Sequence, residues 1–296
     1  MTHTIHHGDC LDVLRGMQDN SVDAITTDPP YGLSNTSPQH IIETMREWAN
    51  GNTEYVPAVS GGFMGAAWDS FVPPPAVWTE CFRVLKPGGH LATFSGTRTI
   101  GLMDTSVRLA GFDHRDTIGA ALAAWVTGQG FPKSLNVAKA TGDPAHEGLG
   151  TALKPSWEPI LLYRKPLAEK TVAANVTAHG TGALNIAATR IGPKPDDVPF
   201  KYAAKAPKKE RPRYEDADGR TIQHPTTKPL TIMRWITALT CPEGGTVLDP
   251  FAGSGTTVEA AILEGFNVIG IEREAEYLPL IQQRIDRATD VLPMAS

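Results

Sequence analysis

The chain has 296 residues, 41% hydrophobic and 20% charged, with a net charge of −5. That is the profile of a globular protein long enough to bury a large core in one elaborated domain. No apolar run approaches the ~18–20 residues that span a bilayer, and the start MTHTIHHGDC carries neither the basic nor the apolar segment of a secretory leader. The three cysteines, Cys10, Cys81 and Cys241, are scattered and odd in number, which argues against a disulfide framework or a zinc site and fits a reducing cytoplasm.

Along the chain, TIHHGD (4–9) predicts a short strand, LDVLRGM a turn or two of helix, and SVDAITTD (21–28) a buried strand. This strand runs into TTDPPYG (26–32), where Pro29 and Pro30 end it because each lacks an N–H and fixes φ. Residues 32–69 are rich in Ser, Asn, Gly and Pro, with MREWAN a short helical interruption. A connection of that length inside a compact domain is usually functional. PPAVWTECFRVLKPGG predicts a helix stopped by Pro87 and the glycine pair, followed by a strand at HLATFSG (90–96) and a helix ending at Gly111.

Further strands are expected around HRDTIGAALAAWV and at SWEPILLYRKP (156–166), with a Gly/Pro/Lys-rich insertion over 129–155. The stretch 165–222 has weak periodicity and is expected to form long loops or an appended lobe without a core of its own. LTIMRWITALT then predicts a helix, GGTVLDPF (244–251) a strand, TTVEAAILEG a helix, FNVIGIE (266–272) a strand and EYLPLIQQRIDRATD a final helix. Strand, helix and strand joined by a tight turn imply a parallel sheet.

The net charge conceals an asymmetry. Residues 129–228 hold 16 Lys and Arg against 10 Asp and Glu, whereas the remainder holds 11 against 22. A solvated loop explains such a run, and so does an electrostatic footprint for a phosphate backbone.

Two stretches carry chemistry. In DPFAGSGTT, small residues after a strand let a ligand approach the backbone, and the N–H groups opening the next helix favour a carboxylate or phosphate. The second strand ends at Glu272, 23 residues after Asp249, where an acid is placed to accept hydrogen bonds from ribose hydroxyls. Together they indicate a nucleoside-containing cofactor at the carboxyl ends of parallel strands. The other stretch is DPPY, which puts an acid and an aromatic around two stiff residues.

DPFAGSGTT resembles the S-adenosylmethionine motif of amino-methylating DNA methyltransferases, DPPYG resembles their catalytic motif, and HPTTKP (224–229) the motif preceding the cofactor strand. Their order is that of the family's β class, and GFPKSLNVAKA, LKPSWEPILL and GALNIAATR resemble a phage and bacterial subgroup. The resemblance implies an α/β, Rossmann-like methyltransferase fold: a seven-stranded, mostly parallel sheet with an antiparallel edge hairpin, circularly permuted, with an inserted target-recognition region. It divides the chain into a catalytic half (1–128), an edge strand plus a variable, basic recognition region (129–222), and a cofactor-binding half (223–296) of the same domain.

For the cofactor, S-adenosyl-L-methionine, the resemblance implies Asp249, Pro250, Phe251, Gly253, Ser254, Gly255, Thr256 and Thr257 in the glycine loop, and Glu272 with Arg273 at the ribose. It further implies Asp9 at the adenine amine, Cys10 lining that pocket and Asp28 beside the cofactor. Pro225 and Pro229 stiffen HPTTKP ahead of a helix, where Lys228 either neutralises the methionyl carboxylate or is an exposed lysine at a capped helix entry. For catalysis it implies Asp28 and the Pro29 carbonyl, held rigid by Pro30, as acceptors for one exocyclic amino group, with Tyr31 stacked on a flipped base. No metal and no covalent intermediate are implied. Trp68 and Trp125 are further candidates to touch that base. Asp in the first motif position points to adenine N6. Cytosine N4 is the alternative, and an RNA base, a protein amide or a non-catalytic DNA-binding module rank below both. Double-stranded DNA is the expected partner, with Arg190, Lys208, Lys209, Arg211 and Arg213 as phosphate contacts. A cognate restriction endonuclease, a monomeric or homodimeric state and a prokaryotic or phage-infected cytoplasm complete the expectation.

Overall fold

The computed structural model describes residues 1–34, 36–62, 65–118, 123–126, 135–150, 157–190, 201–202 and 206–291, with 123–126 and 201–202 as backbone only. The chain opens with β1 (His3–His7), α1 (Cys10–Arg15), β2 (Val22–Thr27), α2 (Pro38–Ala49), α3 (Pro75–Val84), β3 (Leu85–Phe94), α4 (Ile100–Leu109) and β4 (Asp113–Ile118). The middle holds short pieces: β5 (Ala123–Val126), α5 (Val137–Thr141), β6 (Trp157–Glu158), β7 (Ile160–Arg164), α6 (Val172–His179), α7 (Ile186–Thr189), β8 (Lys201–Tyr202), β9 (Tyr214–Glu215) and β10 (Thr221–Ile222). It closes with α8 (Leu230–Thr240), β11 (Thr246–Asp249), α9 (Thr256–Leu263), β12 (Asn267–Glu272) and α10 (Leu278–Val291).

Seven strands form the main sheet in the order β1-β12-β11-β2-β3-β7-β4. The first five are mutually parallel, and β7 is antiparallel to both β3 and β4. The first strand of the chain therefore lies beside the last, and Thr2 N donates to Asn267 Oδ1 at 2.8 Å, as a permuted sheet requires. Strand order reverses between β11 and β2: the chain leaves β11 through α9 toward β12 and leaves β2 through α3 toward β3. Ligands of open α/β sheets bind at the carboxyl ends of the strands flanking such a reversal.

Alternate residues of each strand feed opposite layers. Ile25, Leu91, Leu161, Leu248 and Ile271 pack with Leu14, Trp78, Val84 and Met103 of α1, α3 and α4. Ala24, Val247 and Val268 face Val258 and Ile285 of α9 and α10, while Ala92 and Leu162 face Ile232 of α8. With helices on both faces, the strands read as continuous apolar runs. Each fully buried Leu, Ile or Met side chain contributes roughly 1.5–3 kcal/mol. The acid inside β2, Asp23, is buried but paired: it accepts from Lys86 Nζ at 2.6 Å and Thr246 N at 2.8 Å, tying three strands at their start.

Four expectations need correction. The helix α3 ends at Val84, and Lys86-Pro87-Gly88-Gly89 belongs to β3, across a register shift against β2. Gly88 has φ +79°, and a Cβ there would sit 2.5 Å from Asn175 Nδ2, so the glycine answers a close approach rather than a helix stop. The strand expected around 114–126 is two strands, β4 in the main sheet and β5 in a small sheet with β6 and β8. The strand at 156–166 is not at the edge, since β7 lies between β3 and β4. Finally, residues 165–190 are no separate lobe. Asn175, fully buried, donates to the carbonyls of Pro87 and Thr181, and Trp235 Nε1 donates to Thr189 O. The short MREWAN helix is the second half of α2, which Ser37 and His40 cap reciprocally.

Candidate active site

Five parallel strands end on one cavity of about 670 Å³. Asp9 and Cys10 follow β1, Asp28 to Tyr31 follow β2, Gly96 follows β3, Asp249 closes β11 with Pro250 to Ser254 after it, and Glu272 closes β12 with Arg273 after it; all line the cavity. Lys228, Thr256, Thr257 and Arg211 line it too. Of the expected cofactor residues only Gly255 lies behind the wall: its φ is +80°, and a Cβ would meet Ile281 of α10 at 3.1 Å.

One half of the cavity suits a nucleoside. The loop after β11 is anchored by Ala252 N donating to Ile271 O at 2.9 Å. Gly253 has φ +52°, and a Cβ there would stand 3.1 Å from His224 Nε2, so the backbone, not a side chain, faces the space. Glu272 is buried and accepts from Gly253 N and Glu274 N, each at 2.7 Å. Burial pushes its carboxyl up to about 7 against the pull of these two N–H groups. Asp249 accepts from Thr27 Oγ1 at 2.7 Å and Phe251 N at 3.1 Å, which links β11 to β2. Burial holds its carboxyl near 6. Asp9 caps α1 by accepting from Leu11 N at 2.9 Å, and burial raises the Cys10 thiol to about 12, so it is an uncharged lining group.

The other half is built around Asp28. Its Oδ2 lies 2.6 Å from Lys228 Nζ, and its Oδ1 lies 2.9 Å from the Tyr31 hydroxyl. Glu158, at the end of β6, brings its Oε2 to 3.0 Å from the same hydroxyl and 3.2 Å from the same ammonium. Burial alone would lower the pKa of Lys228, but the charges of Asp28 and Glu158 reverse this and hold it above the usual lysine range. Lys228, expected on a methionyl carboxylate, is only 3% exposed and bound to these two carboxylates. The Tyr31 ring lies under Lys228 Nζ at 5.1 Å and beside Gly96, where a Cβ would come within 3.3 Å of Tyr31 Cδ2.

Three further groups escape sequence reasoning. Asp69, buried, accepts from Tyr31 N at 2.6 Å and Gly32 N at 3.1 Å, fixing the backbone that carries Tyr31. His224 stacks on Trp68 at 5.6 Å and meets Tyr277 edge-on at 4.7 Å. Burial, then the nearby Lys228 and Arg284 charges, drives its imidazole down to about 3 and keeps it neutral. Glu158 is the third. A lone acid between Trp157 and the buried run of β7 was the available signal.

Of the five basic residues expected on DNA, Arg211 alone lines the cavity. Arg190, Lys208, Lys209 and Arg213 are exposed, while Arg211 turns inward, donating from Nε and Nη2 to Ala206 O at 3.0 and 2.7 Å. The turn carrying Lys208 and Lys209 is strapped to α10 by Arg287 on Lys209 O and Arg284 on Glu210 O. Residues 191–200 and 203–205, and the side chain of Trp125, lie outside the described residues.

The family described as "DNA methylase", of N6 and N4 specificity, matches residues 22–283. The chain belongs to that family. It is 28% identical over 296 residues to the DNA adenine methyltransferase YhdJ of Escherichia coli K12, covering 97% of this chain and 83% of that one. Among solved structures it resembles the putative DNA modification methylase TTHA0409 of Thermus thermophilus complexed with S-adenosyl-L-methionine, at 22% identity and TM-score 0.57 over 99% and 98% of the two chains. It also resembles the PvuII DNA methyltransferase, cytosine-N4-specific, at 15% identity and TM-score 0.59 over 98% and 91%. The fold is that of S-adenosylmethionine-dependent DNA methyltransferases, and the chain is an amino-directed DNA methyltransferase.

Proposed function

We propose that this DNA methyltransferase transfers a methyl group from S-adenosyl-L-methionine to the exocyclic N6 of adenine, in a sequence-specific manner and on a base flipped from duplex DNA. The observation that carries this reading is the opening of Asp28-Pro29-Pro30-Tyr31 and the Gly253 loop onto one cavity, from adjacent strands. The donors fit such a cofactor: Glu272 offers a carboxylate for ribose hydroxyls, and Gly253 leaves room that a Cβ would fill. Asp9 and the apolar Cys10 and Phe251 line the same half. When bound, the cofactor supplies an electrophilic methyl group on a sulfonium centre.

The residues of this chain solve the acceptor's difficulty, which is that the lone pair of an exocyclic amine is delocalised into its ring. Asp28 accepts one N–H, and the Pro29 carbonyl, kept still by Pro30, accepts the other. Held by two acceptors, the nitrogen turns toward tetrahedral geometry with its lone pair exposed. Tyr31 offers a ring face to the base, worth about 1–3 kcal/mol against the few kcal/mol that flipping costs. Asp69 fixes that ring through its backbone, and the Lys228 ammonium balances the Asp28 charge. The Asp that opens the motif and the kinship to an adenine methyltransferase favour adenine over cytosine. Arg190, Lys208, Lys209 and Arg213 supply exposed cations for the duplex backbone.

Incubation with labelled S-adenosyl-L-methionine and unmethylated DNA, followed by nucleoside analysis, tests the reading. Label in N6-methyl-2′-deoxyadenosine is expected. Label in N4-methyl-2′-deoxycytidine alone overturns the choice of base, and no label in DNA overturns the activity.

A further inference from the structure

Methylation of an exocyclic amine leaves the nitrogen with one proton too many. We infer that Glu158 is the terminal acceptor of that proton, reached from Asp28 through the Tyr31 hydroxyl; this rests on the activity proposed above. The Tyr31 oxygen lies 2.9 Å from Asp28 Oδ1 and 3.0 Å from Glu158 Oε2. A phenol has one proton and can donate to only one of them. The other contact becomes a hydrogen bond only when that carboxyl carries a proton of its own. The three oxygens thus form a chain built for one proton more than the ionised groups provide.

The direction follows from exposure and charge. The Asp28 side chain is 19% exposed and doubly engaged, by Lys228 and Tyr31; the Glu158 side chain is 28% exposed, the wetter end of the chain. Among the described residues, the ionisable groups facing Glu158 are Asp28 and Tyr31 from the loop after β2 and Lys228 from the loop before α8. Burial holds the Glu158 carboxyl above the ordinary glutamate range, with Lys228 opposing and Asp28 assisting. A raised carboxyl takes up a proton at smaller cost than an ordinary one.

The step balances. The N–C bond forms as the S–C bond breaks, and the nitrogen becomes cationic. One N–H bond then breaks to the Asp28 carboxylate. The protonated carboxyl passes a proton to the Tyr31 oxygen as the phenolic proton moves to Glu158 Oε2. The amine, Asp28 and Tyr31 end in their starting protonation states, and Glu158 later releases its proton to water.

Two variants and two readouts decide the matter. Glu158→Gln removes the acceptor; Tyr31→Phe keeps the ring and removes only the relaying hydroxyl. Infrared titration of the ligand-free protein should show, beside the bands of Asp249 and Glu272, a further protonated carboxyl component that disappears as pH rises; it is isolated in the wild-type minus Glu158→Gln difference and retained in Tyr31→Phe. Single-turnover transfer by the wild type should rise with pH along that titration. Both variants should lose that limb and about 10²-fold in rate. A charge-balancing role alone for Glu158 predicts instead a lowered unfolding midpoint in Glu158→Gln with rate and pH limb intact, which overturns the relay. Tyr31→Phe with wild-type rate and limb overturns it too, even if Glu158→Gln does not fold. Absence of transfer by the wild type overturns the proposed activity itself; transfer by the wild type with indifferent variants overturns only the relay.

Discussion

Replacing Lys228 with Met removes an ammonium held at 2.6 Å from Asp28 and 3.2 Å from Glu158 while keeping much of its volume. Deleting one partner of a buried ion pair costs about 3–5 kcal/mol, because the other charge stays behind without compensation. Here two carboxylates stay behind, and they repel. Proton uptake offers relief, and burial already raises Glu158. In the variant the folded protein therefore binds a proton that the unfolded chain releases above about pH 4–5. Stability bound to such a group is present at low pH and is lost as pH rises through the folded-state value, at up to about 1.4 kcal/mol per pH unit. Equilibrium urea unfolding should thus show a loss of about 3–5 kcal/mol near pH 8, shrinking to about 1–2 kcal/mol near pH 5.5. Adding Glu158→Gln to the same variant should restore at least about 1 kcal/mol near pH 8. An equal loss at both pH values, with no recovery in the double variant, would refute the view that Lys228 acts as a charge between two carboxylates.

Other perturbations address the cofactor half and the backbone of the catalytic loop. Gly253→Ala must hold a side chain at φ +52° against His224; calorimetry should show a cost of about 1–2 kcal/mol and titration a cofactor affinity weakened about tenfold, whereas unchanged affinity would remove Gly253 from the cradle. Asp69→Ala orphans the N–H groups of Tyr31 and Gly32, at about 1–3 kcal/mol for each buried donor. Steady-state kinetics should show a lower kcat with cofactor affinity intact; a loss confined to cofactor binding would contradict that position. Glu272, raised to about 7 in the folded protein, makes the fold bind a proton that the unfolded chain releases near 4.3. The ligand-free wild type should therefore lose about 3 kcal/mol relative to Glu272→Gln as pH rises from about 4.5 to 7. A pH-independent difference between the two would show that the carboxylate is not buried at that cost.

Much of the fold was legible because burial on both sheet faces writes itself as continuous apolar strands, as in Ala24-Ile25 and Val247-Leu248. The glycine loop and DPPY were legible for a local reason: each is one turn at the end of one strand. What escaped was non-local or polar. Glu158 meets Tyr31 across 127 residues and Lys228 meets Asp28 across 200, so no spacing announced either pair. The packing of 165–190 escaped because its anchor is Asn175, a buried amide satisfied by backbone carbonyls, which leaves no hydrophobic period. Lys86-Pro87-Gly88-Gly89 resembled a helix stop because its glycine serves a close contact with that same Asn175. Arg211 counted as surface charge, yet its guanidinium is spent on Ala206 O.

Asp28 is proposed to act on the acceptor amine and not as the anchor of the cofactor. Asp28→Ala, examined side by side for S-adenosyl-L-methionine binding by calorimetry and for methyl transfer to DNA, tests it most directly. Near-wild-type cofactor affinity with transfer reduced below detection is the predicted result. Lost affinity together with residual transfer would contradict it.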